Sequence, residues 1–229
     1  MAELTFLGHS AFQIKSESGS ILIDPFISGN PLATVSKEDL NPDYIIITHG
    51  HDDHVGDALE ISKSTGAPII ANFEIASYFS RQGAKTEAMH IGGGREFPFG
   101  RVKLTIAHHG SGLSKPDGEI IYLGNPCGVI ISIDGKNIYH AGDTGLFLDM
   151  KLIGEMTSID AALLPIGDNF TMGVEDAVKA AEFLQAKLNV PMHYNTFDLI
   201  KTDPKSFVEG VKALNLDAAV IEPGGSLEI

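Results

Sequence analysis

The chain has 229 residues, 43% of them hydrophobic and 20% charged, so it is long enough for a sizeable core and too apolar to be disordered. Its 16 Lys and Arg stand against 30 Asp and Glu, a net charge of −14, which leaves little with which to line a nucleic-acid groove. A single cysteine, Cys127, rules out an intrachain disulfide, residues 1–5 lack the features of a secretory leader, and no apolar run could span a bilayer; a cytoplasmic protein with neither membrane nor nucleic acid as partner is expected.

Taken in order, the pattern begins with short β-rich segments at 4–7, 11–14 and 21–23, split by Gly8 and the turn formers of 16–19, as in a meander. A buried strand is expected at 44–48, then a helix over 55–64 that stops at Gly66. A strand at 68–71 leads to a helix over 73–81 that stops at Gly83. Further strands are expected at 102–107, 119–123, 128–133 and 137–139. The remainder alternates: helix 146–156, strand 161–164, amphipathic helix 174–188, strand 190–192, helix 204–214 and a last strand at 218–221. Each half thus passes from strands alone to strands alternating with helices. No linker rich in Pro, Gly or Ser separates the halves and no fixed-period repeat is present, so residues 1–229 are expected to share one core, with two sheets face to face and helices outside.

The chemistry concentrates in Thr48-His49-Gly50-His51-Asp52-Asp53-His54, directly after the buried strand. Imidazole nitrogens and carboxylate oxygens are what a borderline metal such as zinc takes as ligands. His49 and His51 are two apart, so in an extended loop they leave on the same side. Asp53 and His54 follow as the chain turns into a helix, where they could address a second ion. The bland alternative is a loop of solvated histidines, which the concentration of three of the chain's 9 histidines in that loop argues against. Two ions need more ligands than one loop supplies. Later candidates each stand at an expected strand end: the His108-His109 pair, Asp143 and His193. Singly, each would be read as a capping or packing residue.

The order His-x-His-x-Asp-His, then a histidine, then Gly-Asp-Thr, then a final histidine resembles the metallo-β-lactamase superfamily over nearly the whole chain. Gly8-His9-Ser10-Ala11-Phe12, Ile23-Asp24-Pro25-Phe26 and Gly167-Asp168-Asn169-Phe170-Thr171-Met172-Gly173 are similar to a branch of metal-dependent hydrolases near ascorbate-6-phosphate lactonase. The resemblance implies an α/β fold, the αββα sandwich, with two mixed sheets. It implies two divalent metal ions, zinc first, with manganese, iron or nickel also suited to His and Asp ligands. One ion would be held by His49, His51 and a histidine of the 108–109 pair, where the Ala-x-His pattern of the branch favours His109 over His108. The other would be held by Asp53, His54 and His193, with Asp143 bridging both. Asp53 is preferred over Asp52 only through this pattern. Asp24 would brace the ligand loop from behind.

The implied reaction is hydrolysis of a small-molecule ester, lactone or phosphodiester, with the ion pair activating water and Asp53 orienting it as nucleophile. The leaving group needs a proton, for which His9, His90 and Asp168 are candidates. Each has a plainer role beside it: His9 as a satisfied structural histidine, His90 beside a glycine turn, Asp168 with Thr171 as caps of the helix near 174. Cys127 is expected to be a small buried thiol. Because zinc β-lactamases proper often use a cysteine ligand, β-lactams are not the expected substrate. The rivals are a metal-binding protein without catalysis, a di-iron oxidoreductase on the same fold, which would carry a carboxylate at position 51, and a nuclease, which the charge disfavours. A homo-oligomer is left open.

Overall fold

Alternation along the strands dictates the layers. The computed structural model describes residues 1–229, beginning with β1 (Glu3–Gly8), β2 (Ala11–Ser16), β3 (Gly19–Ile23) and β4 (Tyr44–Ile46). Then come α1 (Asp52–Val55), α2 (Ala58–Thr65), β5 (Ile69–Asn72), α3 (Phe73–Arg81) and β6 (Thr86–Met89). The second half starts with β7 (Gly94–Phe97), β8 (Gly100–Ile106) and a hairpin of β9 (Gly112–Ser114) with β10 (Ile120–Tyr122). It continues through β11 (Cys127–Ile133), β12 (Lys136–His140), α4 (Asp149–Met156), β13 (Ala161–Pro165) and α5 (Val174–Leu184), then β14 (Leu188–Met192), α6 (Pro204–Ala213) and β15 (Ser226–Glu228).

The first sheet has the order β15-β1-β2-β3-β4-β5-β6 and the second β14-β13-β12-β11-β8-β7. In both, an antiparallel part gives way to a parallel part, at β3–β4 in the first and β12–β13 in the second. Successive strand residues face opposite sides of a sheet. Phe12, Ile14, Ile21, Ile23, Ile46 and Ile70 therefore enter the core between the sheets, where Val102, Leu104, Val129, Ile131, Leu163 and Val190 meet them. Their neighbours Leu22, Ile45, Ile47 and Ile69 point outward onto Ile61, Ile75 and Phe79 of α2 and α3. On the far side, Tyr139, Ala162 and Leu164 pack beneath Met150, Ala177, Ala181 and Phe207 of α4, α5 and α6. Helix, sheet, sheet, helix is the resulting stack.

The differences from the sequence expectations have local causes. The helix expected over 55–64 is broken at Gly56, whose φ of 41° and tight approach to Pro25 (an added Cβ would lie 2.3 Å from its carbonyl oxygen) divide it into α1 and α2. The helix expected to reach 188 stops at Leu184 because Gln185 turns left-handed, and Leu188 already pairs in β14. The helix expected from 146 starts at Asp149. The strand expected at 218–221 is reduced to one bridge, Ala218 to Asn189; the last strand is β15, which pairs with β1. Strands β6, β7 and β9 are short and only one of their residues, Met89, is buried, so no apolar alternation announced them.

Candidate metal centre

Six strands of the two sheets deliver polar side chains just past their C-terminal ends: β1 His9, β3 Asp24, β4 the 49–54 loop, β8 His109, β12 Asp143 and β14 His193. Ligand-binding groups gather at this end of α/β sheets because the loops there are free to diverge from the packed core. Three of these residues, His9 (φ 60°), Asp24 (φ 44°) and His193 (φ 55°), are non-glycine residues in left-handed backbone. Such strain persists only where the surroundings over-determine it, and functional sites are where it concentrates.

Asp24 organises the first loop. Its fully buried carboxylate accepts the Thr48 backbone N–H at 2.8 Å, the Thr48 hydroxyl at 2.6 Å and His54 Nδ1–H at 2.8 Å. The hydroxyl has one proton and gives it to Asp24, so Thr48 Oγ1 must accept from His49 Nδ1–H, 2.9 Å away. Both imidazoles are thereby held at Nδ1, with Nε2 turned away from Asp24 and into the site. Orienting a ligating imidazole through its other ring nitrogen is what such outer partners do in metal sites.

These Nε2 atoms converge on Asp143. Its Oδ1 lies 3.2 Å from His54 Nε2, yet neither buried atom has a hydrogen-bond partner. Its Oδ2 lies 3.0 Å from His193 Nε2, 3.5 Å from His109 Nε2 and 3.9 Å from His49 Nε2. Electron-rich atoms set face to face in a buried space require a positive charge between them. A proton on His54 Nε2 supplies that charge when no ion is bound, as the titration behaviour shows. Burial raises the Asp143 carboxyl, but His193 and His54 outweigh it and hold it well below the usual carboxylate range. Burial lowers His54, but Asp143 and Asp24 outweigh it and hold the imidazole well above its ordinary value.

Two sets of donors flank Asp143. His49, His51 and His109 bring ligand atoms within 4.8 Å of one another, as do His9, Asp53, His54 and His193. His51 Nδ1 is 3.1 Å from His49 Nε2. The donor chemistry, three imidazoles in the first set and imidazoles with a carboxylate in the second, fits a borderline divalent ion in each. Asp24, His49 and His54 are also within that reach of one another, but Asp24 already accepts three hydrogen bonds from the loop it braces, so we assign it to orientation.

Within the second set, His9 is fully buried. Its Nε2–H donates to Asp53 Oδ2 at 3.1 Å, and its Nδ1 accepts the Thr196 hydroxyl at 2.8 Å. Burial pulls its pKa down to about 4, so it is neutral at physiological pH. Asp53, not Asp52, faces the site; Asp52 is exposed at the start of α1. His140 is a buried strut: its Nε2–H donates to the Ser10 carbonyl at 3.0 Å and its Nδ1 accepts the Gly142 N–H at 3.1 Å. It ties the loop after β1 to the loop that carries Asp143.

Other residues considered from the sequence lie elsewhere. His108 is exposed, packs edge-on against Phe147 at 5.1 Å and is anchored by its backbone N–H to Thr144 Oγ1, so the structure brings His109 and not His108 to Asp143. Asp168 is exposed, outside the lining of the metal cavity, and does not cap α5, whose N-cap is Gly173 without a side-chain bond. His90 is exposed in the turn before β7 and bonds only to the next backbone N–H. Cys127 is buried between the sheets with its thiol on the Thr48 carbonyl at 3.1 Å, and burial pushes its pKa up. Sequence reasoning passed over Thr48, Thr196, His140 and Phe197. The signal was present only as adjacency to ligands: Thr48 precedes His49, and Thr196 and Phe197 follow His193.

The centre opens into a cavity of about 240 Å³ lined by His51, Asp53, His109, Asp143, His193, Phe170 and Phe197. A shaped, ligand-lined opening leaves room for a substrate beside the donors.

Comparison with known proteins places this geometry in context. A family model described as the β-lactamase superfamily domain matches residues 3–193. A UPF0173 metal-dependent hydrolase of Geobacillus sp. (strain WCH70) is 54% identical over 229 residues, covering 99% of this chain and all of the relative. One from Listeria innocua is likewise 54% identical over 229 residues, covering 99% of this chain and 100% of the relative. Among solved structures, Igni18, a metallo hydrolase from the hyperthermophilic archaeon Ignicoccus hospitalis, superposes with a TM-score of 0.90 at 40% identity, covering 100% of this chain and 99% of the other.

Proposed function

This chain belongs to the β-lactamase superfamily and is a metal-dependent hydrolase, and from that premise we propose that it holds two divalent ions, zinc by preference, and hydrolyses a small ester, lactone or phosphodiester. One ion would sit on His49, His51 and His109, the other on Asp53, His54 and His193, with Asp143 shared. The observation that carries the reading is the buried Asp143 carboxylate facing Nε2 of His54, His193, His109 and His49 at 3.0–3.9 Å, with His49 and His54 held from behind at Nδ1 by Thr48 and Asp24. When bound, such a pair of ions supplies Lewis acidity and activates water near neutral pH.

The remaining work falls to the chain's own groups. Asp24 and Thr48 keep the His49 and His54 rings oriented before substrate arrives, so no reorganisation is needed during reaction. Asp53, held on one oxygen by His9 Nε2–H, is placed to orient the attacking water. His9 is neutral with its one N–H committed to Asp53, which suits it to holding that carboxylate rather than donating a proton. Phe170 and Phe197 line the mouth of the cavity.

A metal site with no catalytic part closes with about four ligands and has no need of a shared carboxylate or an open cavity. The di-iron alternative expects a carboxylate at position 51, where this chain has His51. The substrate is proposed as a small molecule and the compartment as the cytoplasm, in keeping with the lone buried Cys127; no helix is long and apolar enough to cross a membrane.

The test uses protein purified without chelator and loaded with zinc or manganese. Initial rates are measured on p-nitrophenyl acetate, a γ-lactone and bis(p-nitrophenyl) phosphate. Turnover of at least one that is lost with chelator, restored by metal, and lost again in His51→Ala supports the proposal. A folded, metal-loaded protein inactive on all three classes would contradict it.

A further inference from the structure

The mouth of the cavity has a chemistry of its own. Apart from the metal-ligating residues, only Phe170 and Phe197 line it, and neither Lys nor Arg does. Both rings are strongly exposed for aromatic side chains, 52% for Phe170 and 41% for Phe197. Large apolar groups left in water at the rim of a cavity mark a place where something apolar docks. Phe197 is supported from behind by His9 and Phe26, with ring centroids 5.5 and 6.4 Å away.

The backbone that presents these rings is strained and braced. Phe170 follows two consecutive non-glycine residues in left-handed conformation, Asp168 (φ 59°) and Asn169 (φ 43°), and Phe197 closely follows Asn195 (φ 60°). Asp168 N–H donates to the Met172 carbonyl at 3.0 Å, and Met172 N–H donates to the Thr144 carbonyl at 3.0 Å, next to Asp143. Asn195 accepts the Thr202 N–H on its side chain at 2.9 Å and donates its own N–H to the Ile200 carbonyl at 2.9 Å. Strain fixed by such bonds, at the price of two exposed phenyl rings, is expected where presentation of those rings is the point.

We propose that the substrate carries an uncharged aromatic or similarly flat apolar group, which Phe170 and Phe197 hold at the mouth while its reacting centre meets the metal ligands. The inference rests on the hydrolase reading above and narrows it. A second phosphate or carboxylate remote from the reacting centre would lie against phenyl rings with no cation to meet it. Lys201, in the same loop as Phe197, is not among the residues lining the cavity and pairs with Asp198 at 2.7 Å. The cavity volume of about 240 Å³ lies below the roughly 300–1,000 Å³ of drug-sized pockets, so the group is small, about one ring.

Metal-chelating probes that are not hydrolysed give a readout independent of turnover. Zinc-loaded protein is titrated by calorimetry with acetohydroxamate, benzohydroxamate and 4-carboxybenzohydroxamate, with zinc content measured on every sample. Benzohydroxamate is expected to bind on the order of 10-fold tighter than acetohydroxamate, the worth of aromatic contact plus ring burial. The added carboxylate should remove most of that gain. In a Phe170→Ala/Phe197→Ala variant of unchanged zinc content, the benzo/aceto ratio should fall to about 1, and Phe197→Leu should keep an intermediate ratio, since it retains apolar bulk without the ring. A ratio near 1 in the zinc-loaded parent, a ratio unchanged in the double variant, or no binding of either probe to the zinc-loaded protein would overturn this inference while leaving the metal centre standing. A parent that retains no zinc would instead overturn the reading on which it rests.

Discussion

The first half of the chain delivers His49, His51, Asp53 and His54 from one loop after β4, whereas the second half delivers His109, Asp143 and His193 from three separate strand ends. The halves share a plan, antiparallel strands giving way to parallel ones, and their sheets pack through one core. They differ in what holds the site together. The first-half donors are local: Asp24 and Thr48 orient His49 and His54 within a short stretch of the same sheet. The second-half donors come together only once β8, β12 and β14 are joined through β11 and β13 in one sheet and packed on the first. A centre built from both therefore links metal binding to the docking of the halves, and the linkage can be broken at points of decreasing weight.

The largest effect is expected at Asp143, the carboxylate that touches both sets. Asp143→Asn keeps the shape and removes the charge, and should lower both metal affinity and hydrolytic rate by more than the roughly 10–100-fold seen for partners that only orient ligands. A variant that keeps two metals and its rate would show that the halves are not joined there. Asp24→Asn comes next. It leaves His54 Nδ1–H and the Thr48 donors with a weaker acceptor, and should cost about 10–100-fold in metal affinity. Breaking the buried Asp24–His54 pair should also cost about 3–5 kcal/mol of stability, read by urea unfolding of the metal-free protein.

Removing metal from the parent with a chelator should come third. Binding to the folded state at a free concentration of 100 times Kd contributes about 2.7 kcal/mol, which for a chain of this size is a fall in Tm of about 5–10 °C on stripping. An unchanged Tm would mean that the ions do not bridge the halves. Away from the centre, Asp57 accepts the backbone N–H groups of Ile27 and Ser28 at 3.1 and 2.7 Å, holding the segment after Asp24 against α2. Asp57→Ala should cost about 1–3 kcal/mol at pH 7 by leaving those donors without an acceptor. Burial raises the Asp57 pKa, but the Ser28 and Ile27 donors and Lys37 outweigh it, so the folded value lies below the ordinary one. Its contribution is thus present above the ordinary Asp pKa and fades as pH falls through the depressed folded value. Equal penalties at pH 7 and in strong acid would contradict that assignment. The smallest effect is expected for His108→Ala, which should leave metal content unchanged and stability within about 0.5 kcal/mol, whereas His109→Ala should lose metal.

What was legible in the sequence follows the same division. A ligand set packed into residues 49–54 shows itself through density alone, because nothing structural needs so many imidazoles in one loop. His109, Asp143 and His193 could be ranked only through the family resemblance, since the spacing between strand ends is set by the intervening helices and hairpins and not by the chemistry. The strands of the central layers were readable because Ile21–Ile23, Ile45–Ile47 and Val129–Ile131 are buried on both faces. Edge strands β6 and β7 were not, because exposed residues there carry no apolar pattern. Gly56 and Gln185 redirected two helices through backbone conformation that depends on tertiary packing, Gly56 against Pro25 and Gln185 ahead of β14. Phe170 and Phe197 looked like ordinary apolar residues; only their exposure beside the centre sets them apart.

The central claim is that Asp143 joins two metal sets into one dinuclear centre. The most direct test is metal per chain, measured by mass spectrometry on protein purified without chelator, beside His51→Ala and Asp143→Ala. About two equivalents in the parent, falling in both variants, is the predicted result. One equivalent in the parent, unaffected by loss of either His51 or Asp143, would contradict it.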